Sequence, residues 1–365
     1  MALESKEHVQ DKGDRFWTTV VADLFPGYFA AVMATGIVSI AGQLLEWTHL
    51  ARVLLYLNVP VYVALAFLTL ARLVRFPRRL SADFADHARG SGFFTTVAGT
   101  CVLGSQCLLV GERRDAAEIL FAIGLALWLF VMYGFFTTVI VRETKPTLEQ
   151  GINGAWLIAT VATQSVALLA LAVRGPFGWP EEAVAFGALV FFLIGCMLYL
   201  AIITLIFYRF TFLPLATAAL TPPYWINMGA VAISTLAGST LLLAQERSPL
   251  LASFAPFLKG FTLFFWAAGT WWIPLLVLLG VWRHVVRRHP FAYDPQYWGM
   301  VFPLGMYTAA TFRLSQALPY PPLAAIAKGF YPLALVAWFA TALGWATSLA
   351  IRKRKGASSV ASQIN

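Results

Sequence analysis

Residues 26–46, PGYFAAVMATGIVSIAGQLLE, and residues 51–73, ARVLLYLNVPVYVALAFLTLARL, decide the fold of this chain. Each run is long enough to cross a bilayer as a helix, which requires about 20 mainly apolar residues. The two runs differ in polarity, because the first contains three Ser, Thr, Asn or Gln residues and the second contains two. The pair predicts a helical hairpin with one more polar and one more apolar arm.

The same alternation continues along the chain. Ten runs can be read, at 26–46, 51–73, 91–110, 116–141, 151–173, 183–207, 222–245, 257–282, 298–318 and 324–351. The five odd-numbered runs contain 24 Ser, Thr, Asn and Gln residues, and the five even-numbered runs contain 10. A polar side chain that faces lipid finds no hydrogen-bond partner, so the odd helices are expected to face one another or water. The pattern predicts an all-α integral membrane protein of ten transmembrane helices, arranged as five helical hairpins around a central pore.

The composition supports the membrane class. Of the 365 residues, 59% are hydrophobic and 12% are charged, whereas about 25% of the residues of a soluble protein are charged. The runs are too long for barrel strands and lack strict alternation. We predict a cytoplasmic N-terminal segment at 1–25, a membrane domain at 26–351, and a basic, disordered cytoplasmic tail at 352–365.

The loop cations predict the orientation. If the N-terminus is cytoplasmic, 18 Lys and Arg residues lie on the cytoplasmic side and 8 on the other. Cytoplasmic loops of membrane proteins carry the excess of cations. We therefore expect a plasma (inner) membrane protein with both termini on the cytoplasmic side. The same bias explains the net charge of +9, and no nucleic-acid partner is needed to account for it. A second interpretation is that basic pore mouths attract anions from solution.

Several kinds of chemistry are missing from the middle of the runs. No Asp, Glu, Lys or His lies there, and all five histidines fall in loops or at the ends of runs. The sequence therefore offers no intramembrane haem or zinc ligands and no buried carboxylate of the kind that ion-coupled pumps use. The absence of a phosphate-binding glycine loop argues against an ATP-driven pump. We expect a protein that is not an enzyme and that uses neither a cofactor nor a metal.

Neutral polar side chains recur on the odd helices at helical spacing. Hydroxyl and amide groups can replace part of an anion's hydration without trapping it by a full charge. They can equally serve as hydrogen-bond partners between helices, worth under ~1 kcal/mol each in lipid. The pore-lining candidates are Thr35, Ser39, Thr96, Thr100, Thr160, Gln164, Ser234, Thr308 and Thr311.

Arg313 is the charged residue that stands out, since it lies inside the polar ninth run, near its outer end. One interpretation is an interfacial anchor that extends its guanidinium to the headgroups. The other is a fixed positive charge at the pore mouth that concentrates anions, which the polar composition of this run favours.

Four segments resemble the tellurite-resistance/dicarboxylate transporter family, which includes plant slow anion channels and yeast malate and sulfite transporters. They are FPGYFAAVMATG at 25–36, NGAW at 153–156, PPYWI at 222–226 and YWGMVFPLG at 297–305. The resemblance spans nearly the whole chain. It implies five hairpins whose odd helices line a pore, commonly in a homotrimer with one pore in each protomer.

The resemblance also implies a phenylalanine on the ninth helix that occludes the pore. By motif position this is Phe302, which precedes Pro303, a residue that kinks a helix and frees a carbonyl. Phe94 and Phe29 on other odd helices are lesser candidates. An aromatic ring in a narrow tube excludes water, so an ion must lose hydration to pass it.

The sequence thus predicts an anion channel or facilitator for small anions or C4-dicarboxylates in the lipid bilayer. Two alternatives remain open at this point. One is a proton-coupled transporter or exporter of C4-dicarboxylates or oxyanions such as malate, sulfite or tellurite, in which the substrate's own carboxylate carries the proton. The other is a membrane sensor or scaffold that transports nothing.

Overall fold

The protein is all-helical in its computed structural model, which describes residues 17–361 except Gly175. Ten long helices dominate, and we number them in chain order. The odd-numbered helices are α1 (Ala30–Leu44), α3 (Phe94–Leu109), α5 (Ile158–Val173), α7 (Ile226–Leu243) and α9 (Trp298–Ala317). The even-numbered helices are α2 (Thr48–Arg75), α4 (Arg114–Val141), α6 (Glu181–Phe212), α8 (Pro249–Val281) and α10 (Pro321–Ala361). Short helices at Pro77–Phe84 and Leu148–Gly151 lie between them.

Burial separates the two sets of helices. In the most apolar stretch of α1, α3, α5 and α7, between 72% and 89% of the residues are buried, against 17% to 39% in α2, α4, α6, α8 and α10. In α9, 13 of the 20 residues are buried. The odd helices are therefore the inner helices and the even helices the outer ones, which confirms the prediction made from the polarity of the runs.

The inner helices form a closed ring. Helix α1 packs against α3, α3 against α5, α5 against α7, α7 against α9, and α9 returns to α1. Each inner helix also packs against the outer helix that follows it in sequence. The unit of the fold is therefore a hairpin of one inner and one outer helix, repeated five times around a common axis.

Each inner helix begins in the same way, with a single 3-10 turn. These turns are Pro26–Phe29, Gly90–Phe93, Gly154–Leu157, Pro222–Trp225 and Pro295–Tyr297. Proline occupies the start of three of them, where its missing N–H leaves no hydrogen bond unmade. The Asn153 side chain caps a fourth by accepting a hydrogen bond of 2.8 Å from the Ala155 backbone N–H. The five turns mark the end of the ring at which the chain enters each inner helix. We call it the entry end, a name that refers to the chain and not to the movement of ions.

An aromatic hydrogen bond joins every outer helix to the next inner helix. The aromatic partner is a tryptophan, through its indole N–H, or a tyrosine, through its hydroxyl, near the middle of the outer helix. The pairs are Tyr62 with Thr100 (3.0 Å, either hydroxyl donating), Trp128 to Thr163 (2.9 Å), Tyr199 to the Asn227 carbonyl (3.4 Å), Trp266 to Thr311 (3.0 Å) and Trp338 to Thr35 (3.0 Å). We call these five hydrogen bonds the aromatic ties. They satisfy polar groups inside a region that excludes water.

Nine helices of the described part of the chain are long and apolar enough to span a membrane. The helix of the ninth run, α9, is not among them, so its crossing of the bilayer stays a prediction. Helix α10 continues to Ala361, beyond the predicted end of the last run at 351. The predicted disordered tail is therefore helical at 352–361, and residues 1–16 and 362–365 lie outside the described residues.

Candidate functional site

Two cavities lie between the inner helices, one toward each end of the ring. The larger, which we call the wide cavity, has a volume of about 270 Å³ and is lined by all five inner helices. The smaller, the narrow cavity, has a volume of about 40 Å³ and lies toward the entry end. It too is lined by all five repeats, including the 3-10 turns. Both cavities therefore lie on the common axis of the ring.

A thin layer of side chains separates the two cavities. Met33, Val161 and Phe302 line the narrow cavity. Four residues further along the same three helices, Ile37, Ser165 and Met306 line the wide cavity. Four residues in a helix rise about 6 Å, so the layer between the cavities is roughly one helical turn thick.

The layer is closed and mainly apolar. Met33, Ile37, Val161, Phe302 and Met306 are each at most 2% exposed. A narrow passage lined by apolar side chains excludes water and opposes the passage of ions through dehydration. In this conformation the two cavities are not joined by a polar path.

Glycines allow α9 to bring Phe302 into this layer. A Cβ atom added to Gly229 on α7 would lie 2.7 Å from Pro303 Cγ, and one added to Gly305 would lie 3.0 Å from the Ile37 and Val38 side chains. Side chains larger than hydrogen at these two points would push α9 away from its neighbours. Pro303 lies inside α9 as predicted, and its ring removes the N–H that would bond the Gly299 carbonyl.

The wide cavity has a positive mouth. Arg174, Arg247 and Arg313 line it, and no Asp or Glu does. Arg174 and Arg247 follow the last turns of α5 and α7, and Arg313 lies near the end of α9. None of the ion pairs found among residues 17–361 involves any of the three. Glu181 lies close by, since it lines an adjoining small cavity together with Arg174 and Arg247. The three arginines at the wide cavity outnumber this carboxylate, and their excess positive charge raises the local concentration of anions.

Each arginine of the mouth has a defined local setting. Arg313 is partly buried, and its Nη1 donates a hydrogen bond of 2.8 Å to Gln316 Oε1. Arg174 has a left-handed backbone with φ of 51° at the end of α5, which costs a non-glycine residue roughly 1–2 kcal/mol. Arg114 on α4 compensates by donating a 3.0 Å hydrogen bond to the Arg174 carbonyl. Arg247 lies in the turn that ends at the start of α8.

Most of the predicted pore-lining polar residues form hydrogen bonds with neighbouring helices or within their own repeat. Thr35, Thr100 and Thr311 take part in the aromatic ties, and Ser39 donates to the Ala51 carbonyl at 2.7 Å. Gln164 donates to Ser234 Oγ and the Phe192 carbonyl, both at 3.1 Å. Thr96 and Thr308 bond carbonyls of their own repeats, and Thr160 is fully buried. Neither cavity is lined by any of the nine, so their contact with a permeating ion stays a prediction.

The structure adds residues that the sequence did not single out. Arg174 and Arg247 join Arg313 at the wide cavity. All three lie at or just beyond the last turns of odd helices, and this shared position is the sequence feature that could have identified them. Met33, Ile37 and Met306 join Phe302 in the separating layer. Apolar side chains on a buried helix carry no sequence signal that distinguishes an axis-facing position from a packed one.

His87 lies in the loop before the turn Gly90–Phe93, at the entry end of the ring. Burial and the neighbouring Arg142 lower the pKa of His87 below its ordinary value, which is about 6.5. The His87 ring is therefore neutral at pH 7 and contributes no charge to the entry end. Among residues 17–361 no group of three or more His, Cys, Asp or Glu side chains could hold a metal ion.

The fold and the two axial cavities define a membrane transport protein, and comparisons with known sequences agree. The family model described as voltage-dependent anion channel matches residues 23–346. The chain therefore belongs to this anion channel family, as the resemblance of its four segments predicted.

Individual relatives are similar over different parts of the chain. Two proteins named uncharacterized transporters of Methanocaldococcus jannaschii, MJ0576 and MJ0762, are 25% and 24% identical over 335 and 326 residues. Those alignments cover 88% and 86% of this chain, and 92% and 91% of the relatives. The uncharacterized membrane protein Rv1735c of Mycobacterium tuberculosis is 40% identical over 144 residues, which is 40% of this chain and 73% of that protein. These relatives support a multi-pass membrane protein with a transport function.

Proposed function

We propose that the protein is a passive anion channel or facilitator whose path runs along the axis of the inner ring. Anions collect in the wide cavity near Arg174, Arg247 and Arg313, cross the layer at Phe302, and leave through the narrow cavity at the entry end. The single observation that carries this proposal is the pair of axial cavities lined by all five inner helices and separated by one turn of apolar side chains. The passage opens when the Phe302 ring turns out of the layer.

The cavity sizes bear on the cargo. A cavity needs about 10–15 Å³ of space of this kind to hold one water molecule, so the narrow cavity of about 40 Å³ accommodates roughly three water molecules, or one small anion that has shed most of its hydration. The wide cavity of about 270 Å³ also has room for a C4-dicarboxylate. Small monovalent anions are therefore the first cargo we propose, and dicarboxylates would require the narrow cavity to widen.

A proton-coupled mechanism is the rival, and the side chains of the two cavities argue for passive conduction. Among the described residues, no Asp, Glu or His lines either cavity, whereas coupled transporters commonly place such groups on the path. We further propose that the protein is a homotrimer in the plasma (inner) membrane with both termini cytoplasmic, which puts the entry end and its basic loops on the cytoplasmic side.

A flux series in proteoliposomes tests the function. The purified protein is reconstituted and assayed with chloride, nitrate, malate, sulfite and tellurite, each with and without a proton gradient. We expect fluxes that follow the anion gradient alone. Flux that reverses with the proton gradient would refute passive conduction in favour of coupled transport, and the absence of any anion flux would refute both.

The Phe302→Ala variant tests the gate. Lowering a barrier by about 1.4 kcal/mol raises a rate tenfold, so removing the ring that blocks the layer should raise anion flux by about tenfold or more. Phe265→Ala is the matched control, because Phe265 on α8 is equally buried and lines neither cavity. Both variants should lose about 3–5 kcal/mol of stability. Equal flux in Phe302→Ala, Phe265→Ala and the unaltered protein, at equal reconstitution, would remove Phe302 as the gate.

A further inference from the structure

A third cavity lies outside the ring at its entry end. It has a volume of about 330 Å³ and is formed by the segment 220–225, the end of α8 with its following turn Trp282–Val286, and the start of α9. We call it the basal groove. It lies on no part of the axial path, since none of its lining residues lines the wide or the narrow cavity.

One wall of the basal groove belongs to the membrane-facing surface of α8. Val277 and Val281 line the groove and are 47% and 46% exposed. Only 22% of the most apolar window of α8 is buried. The groove therefore opens onto the surface that hydrocarbon chains cover in a membrane, and its walls are apolar at that point.

The other end of the basal groove is cationic. Arg283 lines it and donates from Nη1 to the Leu220 carbonyl, while its Nε is buried without a hydrogen-bond partner among the described residues. His284 also lines the groove, and Arg287 and Arg288 follow in the same loop. No Asp or Glu of the described residues lines the groove. A buried guanidinium N–H without a partner favours an anionic acceptor.

Aromatic side chains flank the cationic end. Trp225 and Tyr297 line the groove where α7 and α9 begin, and tryptophan and tyrosine are enriched at the level of lipid headgroups. The basal groove is thus apolar at one end and has a guanidinium between interfacial aromatic side chains at the other. This combination matches an amphiphile with an anionic headgroup. Basic pockets between transmembrane helices on the cytoplasmic side bind such headgroups.

We propose that the basal groove binds an anionic phospholipid. One acyl chain lies along Val277 and Val281, and the phosphate accepts hydrogen bonds from Arg283. The occupied groove touches the turn before α9 through Tyr297, and α9 itself through Met300, two residues before Phe302. The lipid thus contacts the helix that carries the residue proposed as the gate, but its binding is independent of whether the protein conducts anions.

Native mass spectrometry of the full chain, titrated with phosphatidylglycerol or phosphatidylcholine, tests this site. Loss of a charged hydrogen bond should make Arg283→Gln bind phosphatidylglycerol about tenfold more weakly. Arg78→Gln is the matched control, since Arg78 is exposed at the same end of the ring and removes the same charge. Its affinity for phosphatidylglycerol should be unchanged.

A second pair of variants tests the groove itself. A Cβ atom added to Gly280, which lines the groove, or to Gly260, which is on α8 outside it, meets no atom within 4 Å. Gly280→Leu therefore adds an apolar side chain to the groove at a point where its Cβ has room, and it should weaken the binding of both lipids, whereas Gly260→Leu should not.

Four results would overturn the proposal. Equal weakening in Arg283→Gln and Arg78→Gln would mean attraction by surface charge alone. Unchanged binding in Gly280→Leu would mean that no chain enters the groove. Displacement of the lipid by glycerol phosphate at equal concentration would assign the site to a free phosphate. Dissociation of an oligomer in Arg283→Gln and Gly280→Leu, but not in their controls, would assign the groove to a second copy of the chain.

Discussion

Neutralising the mouth of the wide cavity, by Arg313→Gln, should reduce anion conduction in a way that depends on salt. A sphere of the cavity's volume of about 270 Å³ has a radius of about 4 Å, so an ion at its centre lies about 6 Å from a charge on the wall. At that distance one unit charge attracts an anion by about 0.7 kcal/mol in water. Removing it should lower the local anion concentration about threefold, and removing all three arginines about 30-fold.

The assay is planar-bilayer conductance at two ionic strengths. At about 10 mM salt the Debye length is about 30 Å and the full effect should appear, whereas at about 1 M it is about 3 Å and the loss should nearly vanish. Arg52→Gln is the control, because Arg52 is exposed at the same end of the ring and does not line the cavity. A threefold loss that persists at high salt, or an equal loss in Arg52→Gln, would refute the reasoning.

Two predictions concern the packing of the ring. Gly154→Ala should lower stability by about 1–3 kcal/mol, because the added Cβ would lie 2.4 Å from the Pro223 carbonyl oxygen. Gly187→Ala is the control, since its added Cβ meets no atom within 4 Å, and it should leave the melting temperature in detergent unchanged or slightly raised. Equal melting temperatures of the two variants would contradict this. Trp128→Phe should cost about 1 kcal/mol through loss of the tie to Thr163, read as a lower melting temperature, and an unchanged value would show that this tie contributes nothing measurable.

The sequence predicted the layering of the helices because the bilayer acts on polarity. Hydrocarbon penalises every unpaired polar group, so a count of hydroxyl and amide residues was enough to separate the inner helices from the outer ones. The boundaries agree less closely, because α5 begins at Ile158, seven residues after its predicted run, and α10 continues to Ala361, ten residues beyond its run. Helix α8 also departs from the prediction. It begins at Pro249, eight residues before the predicted run, since Ser248 caps it by accepting from the Leu251 N–H.

The orientation of single side chains within the ring was beyond the sequence. An inner helix is buried on every side, and polarity does not tell the axis from the contact with an outer helix. On α1, Ile37 lines the wide cavity whereas Thr35 accepts a hydrogen bond from Trp338. A hydroxyl in a dry environment gains more from a fixed donor than from an empty cavity. The family resemblance was needed to single out Phe302.

The meeting of Arg174, Arg247 and Arg313 at one cavity also required the structure. The sequence places them 73 and 66 residues apart, on separate repeats of weak mutual similarity. Only the closed ring brings the ends of α5, α7 and α9 to a common mouth. The sequence could assign each to the same side of the membrane by the alternation of runs, but it could not assign them to the same cavity.

The aromatic ties bear on how opening would respond to temperature. If all five inner helices rotated together about the ring axis, all five hydrogen bonds would break, at a cost of about 1 kcal/mol each. A total of about 5 kcal/mol would leave roughly one molecule in five thousand open. Rotation of the Phe302 side chain breaks none of them, since none of the ties involves it. We therefore expect brief openings with a shallow temperature dependence.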